Sequence, residues 1–451
     1  MSPNNLFFVT GFFPPDAAVG AIRTGEFARR LSSDFKWNVT VVRPKCSTHD
    51  SEPPALSSCH IVETHAPEML WMVRRFRRFF PKKVSSNGPA NTPASNEFTG
   101  NGKAGRQRNL LARLSDLLAV PDSRRGWIRP ASRALQREVM RTAGKKVLLS
   151  SGPPHSAHVA AARVKRRTHV PWVADLRDPW GGNPYALELS SIARRANDRL
   201  ERETLMCADA IVCNTEAACE LIAKRLPKIP KDRLLCIPNG YDENDFVNLT
   251  PRPIWKDASR VTFLHTGSLY AKRTPAALLE AWCQLRSYVT NRMPHLVFLG
   301  NCEPHLESLI NAAIEQVKPV GKISLVAPVP RHQALCAAMA ADGLVLLGDS
   351  CEPQVQVPAK VYEYLRLNKP ILVLFPETSP VRNLVRSYAS HFAFANPNNP
   401  EEIANAVKAL LSDATSDLTN CSPKSDVRDL SRARQAEALH NLLLNVVSAA
   451  S

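Results

Sequence analysis

The 451-residue chain has no run approaching the roughly 20 apolar residues that a membrane helix needs, so no segment reads as a membrane span. Its 11 cysteines include no C-x-x-C pair, and Cys207, Cys213 and Cys219 recur at a spacing that leaves one helical face and fits no zinc pattern. They read as reduced core residues of a cytosolic protein, which would leave the sequons at Asn38 and Asn248 unused. There is no G-x-G-x-x-G, which excludes the NAD fingerprint. No basic region precedes the first apolar run, so a cleaved signal peptide is not expected. No short-period repeat is visible. The basic residues are dispersed and no reader motif accompanies them, which makes nucleic-acid binding the weakest reading.

What is present is a soluble-type composition, 44% hydrophobic and 22% charged, in a chain too long for one core. The formal charge of +17, from 58 Lys and Arg against 41 Asp and Glu, points to anionic partners. Met69–Lys83 mixes Trp71, Phe76, Phe79 and Phe80 with four arginines and two lysines. It reads either as a basic amphipathic segment on an anionic membrane surface or as a helix packed on its own domain with the arginines in water. The Ser-, Asn-, Gly- and Pro-rich stretch 84–108 offers little to bury and is expected to be a disordered insert.

The rest alternates strand and helix. Leu6–Thr10 is an expected buried strand that runs into a loop carrying Gly20, which would let a backbone approach a ligand. Arg23 then falls in the first turn of a helix expected over 22–31, a poor place for a cation unless it faces an anion. A strand over 39–42 completes a βαβ unit of a doubly wound α/β sheet. Further strands at 147–150 and 171–174 end in Ser151-Gly-Pro-Pro-His155 and in Asp175-Leu-Arg177-Asp178, where ligands of open α/β sheets gather. Asp175 and Arg177 could equally form a structural ion pair, and Asp178 could cap the turn at Pro179. After a polar, proline-bearing linker the pattern restarts at 261–266. Gly267-Ser268 and the cations Lys272 and Arg273 follow, a phosphate-type arrangement.

Val357–Leu374 reads as a helix, a turn and a doubly buried strand. Pro358 suits the first helical turn, and Asn368-Lys369-Pro370 is the stop. The helix N-terminus offers bare N–H groups and positive dipole to an anion, and Lys360 adds a charge. Glu363 could accept two hydrogen bonds from a ribose diol. Together these suit a nucleotide diphosphate sugar; the alternative is that Glu363 is a solvated charge paired with Lys360 on the surface.

Five blocks, in order, carry a family resemblance: Phe13–Arg23, Ser150–His158 with Trp172–Trp180, Ile237–Asp242, His265–Tyr270 with Arg273, and Pro358–Leu365 with Lys369–Leu372. The chain resembles the retaining glycosyltransferases of family 4, or group 1, of GT-B fold, over most of its length outside 45–115. The resemblance implies two Rossmann-like domains facing across a cleft, with a C-terminal helix crossing back. They would be an acceptor domain at 1–245, a linker at 246–260, a nucleotide-sugar domain at 261–415 and a crossover segment and helix at 416–451. Glu363 would hold the donor ribose. Lys272, Arg273, Lys360, Gly267, Ser268 and, from the first domain, Gly20 would hold the diphosphate, and Val329 in the Pro328–Arg331 loop would flank the base. His155 and Asp178 become candidates near the reacting centre, with Arg23, Asp175 and Arg177 lining the acceptor side. No metal or other cofactor is expected.

The implied activity is sugar transfer to a glycan or lipid-linked acceptor in polysaccharide or glycoconjugate biosynthesis, in the cytoplasm or on the inner membrane face. A sugar-nucleotide epimerase and a non-catalytic nucleotide-binding relative are the alternatives. One departure stands out: the acid the family carries eight positions before the ribose-binding Glu is here Val355, and the nearest acid is Glu352.

Overall fold

A computed structural model describes residues 4–16, 19–45, 56–67, 116–184, 186, 189–255, 260–270, 273–285, 294–317, 322–349, 354–411 and 425–450. Met69–Lys83, the 84–108 insert, Lys272 and Glu352 lie outside the described residues. No helix among those described is long and apolar enough to cross a membrane.

The chain divides into two compact units, 1–175 with 185–209 and 176–184 with 210–449. It builds two parallel sheets. The first has seven strands: β1 Asn5–Thr10, β2 Asn38–Pro44, β3 His60–Thr64, β4 Lys146–Gly152, β5 Trp172–Leu176, β6 Ala210–Cys213 and β7 Leu234–Cys236, in the order β3-β2-β1-β4-β5-β6-β7. The second has six: β8 Val261–Thr266, β9 Pro294–Leu299, β10 Lys322–Val326, β11 Gly343–Leu347, β12 Ile371–Leu374 and β13 Phe392–Ala395, in the order β10-β9-β8-β11-β12-β13. Both are doubly wound α/β sheets, with the strand order reversing at β1/β4 and at β8/β11. Such reversals are where ligands bind, beyond the carboxyl ends of the strands.

The central strands are continuous apolar runs because helices cover both faces. β1, β5, β11 and β12 are buried at every position, whereas the edge strand β3 alternates between half-buried and exposed. On one face of the second sheet Trp282 packs edge-on against Phe263 with 5.8 Å between ring centroids, a favoured aromatic geometry. On the other face Tyr362 and Tyr364 are fully covered.

Two boundaries differ from the sequence reading. Helix α1 spans Val19–Ser33, so Gly20 lies within its first turn and not in a loop. β5 runs on to Leu176, which places Asp175 on the strand itself. Within the crossover segment and helix expected at 416–451, the helix spans Arg432–Ala449, because Val427–Leu430 forms a separate 3-10 turn begun by the Asp426 side chain.

Candidate functional site

The residues of interest gather at the carboxyl ends of β8 and β11, in front of the helix Ala359–Leu367. That helix forms where sequence reading puts it, but Pro358 takes the N-cap position and not the first turn, with ψ 140. Asn368 ends it in the left-handed conformation, φ 51 and ψ 44, which Asn tolerates better than most residues. Val361, Tyr362, Tyr364 and Leu365 face the core. Lys360 and Glu363 are left on the side towards the strand ends.

Lys360 is half-buried and has no carboxylate in contact among the described residues. Its Nζ donates to the Thr266 carbonyl and lies 3.3 Å from His265 Nε2. His265 Nδ1 lies 3.0 Å from the Val345 carbonyl. A carbonyl can only accept, so Nδ1 carries the proton and Nε2 turns its lone pair to Lys360. Burial lowers the Lys360 pKa to about 7, with the Arg273 charge acting the same way and Glu363 opposing. Burial and then Lys360 hold His265 well below the ordinary imidazole range. The site therefore gathers basic groups, of which Arg273 and Arg331 have carboxylates beside them and Lys360 has only neutral groups in contact.

Gly267 makes room for that lysine. It has φ +107, and a Cβ there would stand 2.9 Å from Lys360 Nζ. Gly300, at φ +146, lies against the Gly267 backbone, so a Cβ there would also collide. Tyr364 OH locks the same turn, 3.0 Å from both the nitrogen and the hydroxyl of Thr266, and burial pushes its pKa up to about 12. Arg273 is held more loosely: its Nε is 3.7 Å from Asp349 Oδ2, and its guanidinium sits 5.1 Å from the Tyr270 ring centroid. Ser268 is exposed beside Gly267.

Glu363 is not paired with Lys360 at the surface. It meets Arg331, 2.7 Å from Oε1, and Arg331 in turn reaches Asp245 at 2.7 Å. A carboxylate offers about four acceptor positions, so capacity for a diol remains. Arg331 opens the helix Arg331–Ala340, and Val329 just before it packs half-buried on the core. Val355 is buried, and its carbonyl accepts from Thr215 Oγ1 at 2.7 Å.

The residues expected on the acceptor side fall differently. The Arg23 guanidinium binds Asp175 through two nitrogens, at 2.8 and 3.4 Å, and Ser151 Oγ donates to the same carboxylate at 2.7 Å. Arg23 thus finds its anion, in a partner that sequence reading did not give it. His155 takes the N-cap position of the helix Ser156–Thr168 without a side-chain cap bond and stacks on His158. Asp122 supplies the cap, accepting from the nitrogen and hydroxyl of Ser156 at 2.8 and 2.7 Å. Arg177 is buried. Asp178 accepts from Gln356 Nε2 at 2.8 Å, and burial raises its pKa against the pull of Arg177.

Sequence reasoning missed His265, Asp349, Asp122 and Gln356. His265 alone left a trace, as a polar residue inside an apolar strand beside a glycine turn.

A glycosyl transferase 4-like domain model matches residues 21–240. No curated protein sequence matches the chain. Among solved structures, an alpha,alpha-trehalose-phosphate synthase (UDP-forming) from Burkholderia xenovorans in complex with glucose-6-phosphate is similar at 11% identity and TM-score 0.61, over 98% of this chain and 100% of that one. A sucrose-phosphate synthase from Thermosynechococcus elongatus is similar at 12% identity and TM-score 0.57, over 98% and 96%. The lipopolysaccharide outer core galactosyltransferase WaaB is similar at 10% identity and TM-score 0.60, over 98% and 99%. Residues 21–240 thus match a glycosyl transferase 4-like domain, and the chain has the GT-B fold of two Rossmann-like parallel-sheet domains.

Proposed function

We propose that the chain is a glycosyltransferase that moves a sugar from a nucleotide diphosphate sugar to a glycan or lipid-linked acceptor, with retention, in polysaccharide or glycoconjugate biosynthesis. The observation that carries this reading is Lys360, a half-buried amine held by an imidazole and a carbonyl at a helix N-terminus, with Arg273 and the Gly267 turn beside it. Such a group lowers its energy when an anion arrives. A diphosphate leaving group supplies that anion, and its charge grows in the transition state, where preorganised donors act most strongly.

In this scheme Lys360, Arg273 and the helix end stabilise the departing diphosphate, with Lys272 as a further cation. Glu363, steadied by Arg331, takes the ribose diol. The leaving phosphate accepts the acceptor's proton on the same face of the sugar, so no protein nucleophile is required. Gln356 holds Asp178 beside the Val355 position, which returns a carboxylate to the donor sugar. His155 is assigned a catalytic role. The cations do the work a metal does elsewhere, so transfer is expected to survive chelators. A cytoplasmic location, with Met69–Lys83 resting on anionic lipid, would suit a lipid-linked acceptor.

Calorimetric titration of UDP and GDP into wild type and Glu363→Gln tests the donor site. Binding by wild type that weakens in the variant supports it; negligible heat in both overturns it. A second reading, a nucleotide-binding protein without turnover, is favoured by the buried Val355 where the family has an acid. Nucleotide binding without consumption of any sugar nucleotide would select it.

A further inference from the structure

Beyond the carboxyl ends of β1, β2 and β3 lies a cavity of about 560 Å³. Its size falls in the roughly 300–1,000 Å³ range of small-molecule pockets. Its wall carries Phe13, Asp16, Arg43, Lys45, Glu63 and Arg124. We infer that this cavity receives an acidic saccharide, one bearing a phosphate or a carboxylate, as the acceptor; the inference rests on the glycosyltransferase reading above.

The wall is a connected unit. Arg43 is buried; its Nε and one terminal nitrogen reach Glu63 Oε1 at 3.2 and 3.0 Å, and the other donates to the Pro14 carbonyl. Its guanidinium lies 5.9 Å from the Phe13 ring centroid. Thr64 Oγ1 donates to the Arg43 carbonyl at 3.1 Å and accepts from Trp127 Nε1 at 2.7 Å. That pair of bonds ties the turn bearing Arg124 to β3 and β2. The Arg43 guanidinium and the turn bearing Arg124 are thus held in place before any ligand arrives, which lowers the ordering cost of binding.

The lining selects the ligand class. Carboxylates and guanidinium groups side by side suit hydroxyls, which donate and accept alike; an apolar ligand would strand every one of these charges. Three cations face two carboxylates, and Glu63 is already engaged by Arg43. Lys45 and Arg124 make no ion pair among the described residues and are the groups left for an anion on the sugar.

Saturation-transfer NMR and calorimetry with glucose 6-phosphate, glucuronate and glucose, on wild type and the Lys45→Gln/Arg124→Gln double variant, test this. Both acids are expected to bind wild type at least about tenfold more tightly than glucose, the worth of one charge-assisted hydrogen bond. The double variant should bring them to the level of glucose while leaving UDP affinity unchanged. The stronger acid tells phosphate from carboxylate. Acids that bind no better than glucose, or not at all, or whose binding the double variant leaves intact, overturn the inference. Loss of the donor reading is seen separately, as absence of UDP and GDP binding in wild type.

Discussion

Asp175 on β5, buried, and Lys360 at the start of the helix Ala359–Leu367, half-buried, both lie at the carboxyl ends of a doubly wound sheet, yet their surroundings are opposite. Asp175 accepts two bonds from Arg23 and one from Ser151. Lys360 has an imidazole and a carbonyl, and Arg273 adds like charge nearby. A charge that is paired and hydrogen-bonded in the apo state is part of the scaffold. A charge held by neutral groups, with its pKa dragged down, stores unfavourable energy that an incoming anion relieves. The difference separates a clasp from a site, where residue type alone does not.

The strongest way to break that contrast is Asp175→Ala. It strands the Arg23 guanidinium in the interior and should cost about 3–5 kcal/mol of stability, read by urea unfolding. The double variant Arg23→Met/Asp175→Leu should recover most of the loss, because a well-packed apolar pair replaces a buried ion pair at little cost. A loss below about 1 kcal/mol, the worth of an exposed pair, would make Asp175 a poised group and remove the contrast.

Lys360→Met should do the reverse. It removes a desolvated cation, so the apo protein keeps or gains thermal stability. Affinity for a nucleoside diphosphate should fall by about ten- to a hundredfold, corresponding to about 1.5–3 kcal/mol for a hydrogen bond to a charged group. Calorimetry beside a thermal melt reads both, and a variant that unfolds would place Lys360 with the scaffold. Glu363→Gln is expected to be milder, about tenfold for UDP, with inorganic pyrophosphate binding unchanged because only the ribose contact is weakened. Equal losses for UDP and pyrophosphate would mean that Glu363 acts through Arg331.

Much of the second sheet was legible because period and composition agree there. The strand at Val261–Thr266, the helix at Ala359–Leu367 and the strand at Ile371–Leu374 fall where the apolar runs and the prolines put them. β3 was not legible, since an edge strand with only half-buried positions carries no apolar run. Lys360, Gly267, Arg273 and Glu363 were read from a glycine turn and a helix start, and they gather at one set of strand ends. Their partners were not legible. Arg23 and Asp175 are 152 positions apart, and Lys360 and His265 are 95 apart. Pairing over such distances is set by strand order, which a local pattern does not encode.

The most diagnostic effect is a dependence on pH. The Lys360 pKa falls from an ordinary 10.5 to about 7 in the folded protein. Between those values the unfolded chain holds a proton that the native chain has lost, so this group makes apo stability rise with pH across that window. A bound diphosphate favours the charged form and lifts the pKa again, so binding above pH 7 takes up a proton. Nucleotide affinity should therefore weaken on going from pH 7 to 9, by at most about tenfold per pH unit. The heat of binding should vary with the ionisation enthalpy of the buffer. In Lys360→Met both dependences should vanish, which separates them from titration of the nucleotide itself. A wild type that binds UDP without proton uptake at pH 8 would mean that Lys360 is already charged in the apo state. It would then belong with Asp175 among the satisfied groups, and the contrast between the two regions would be lost.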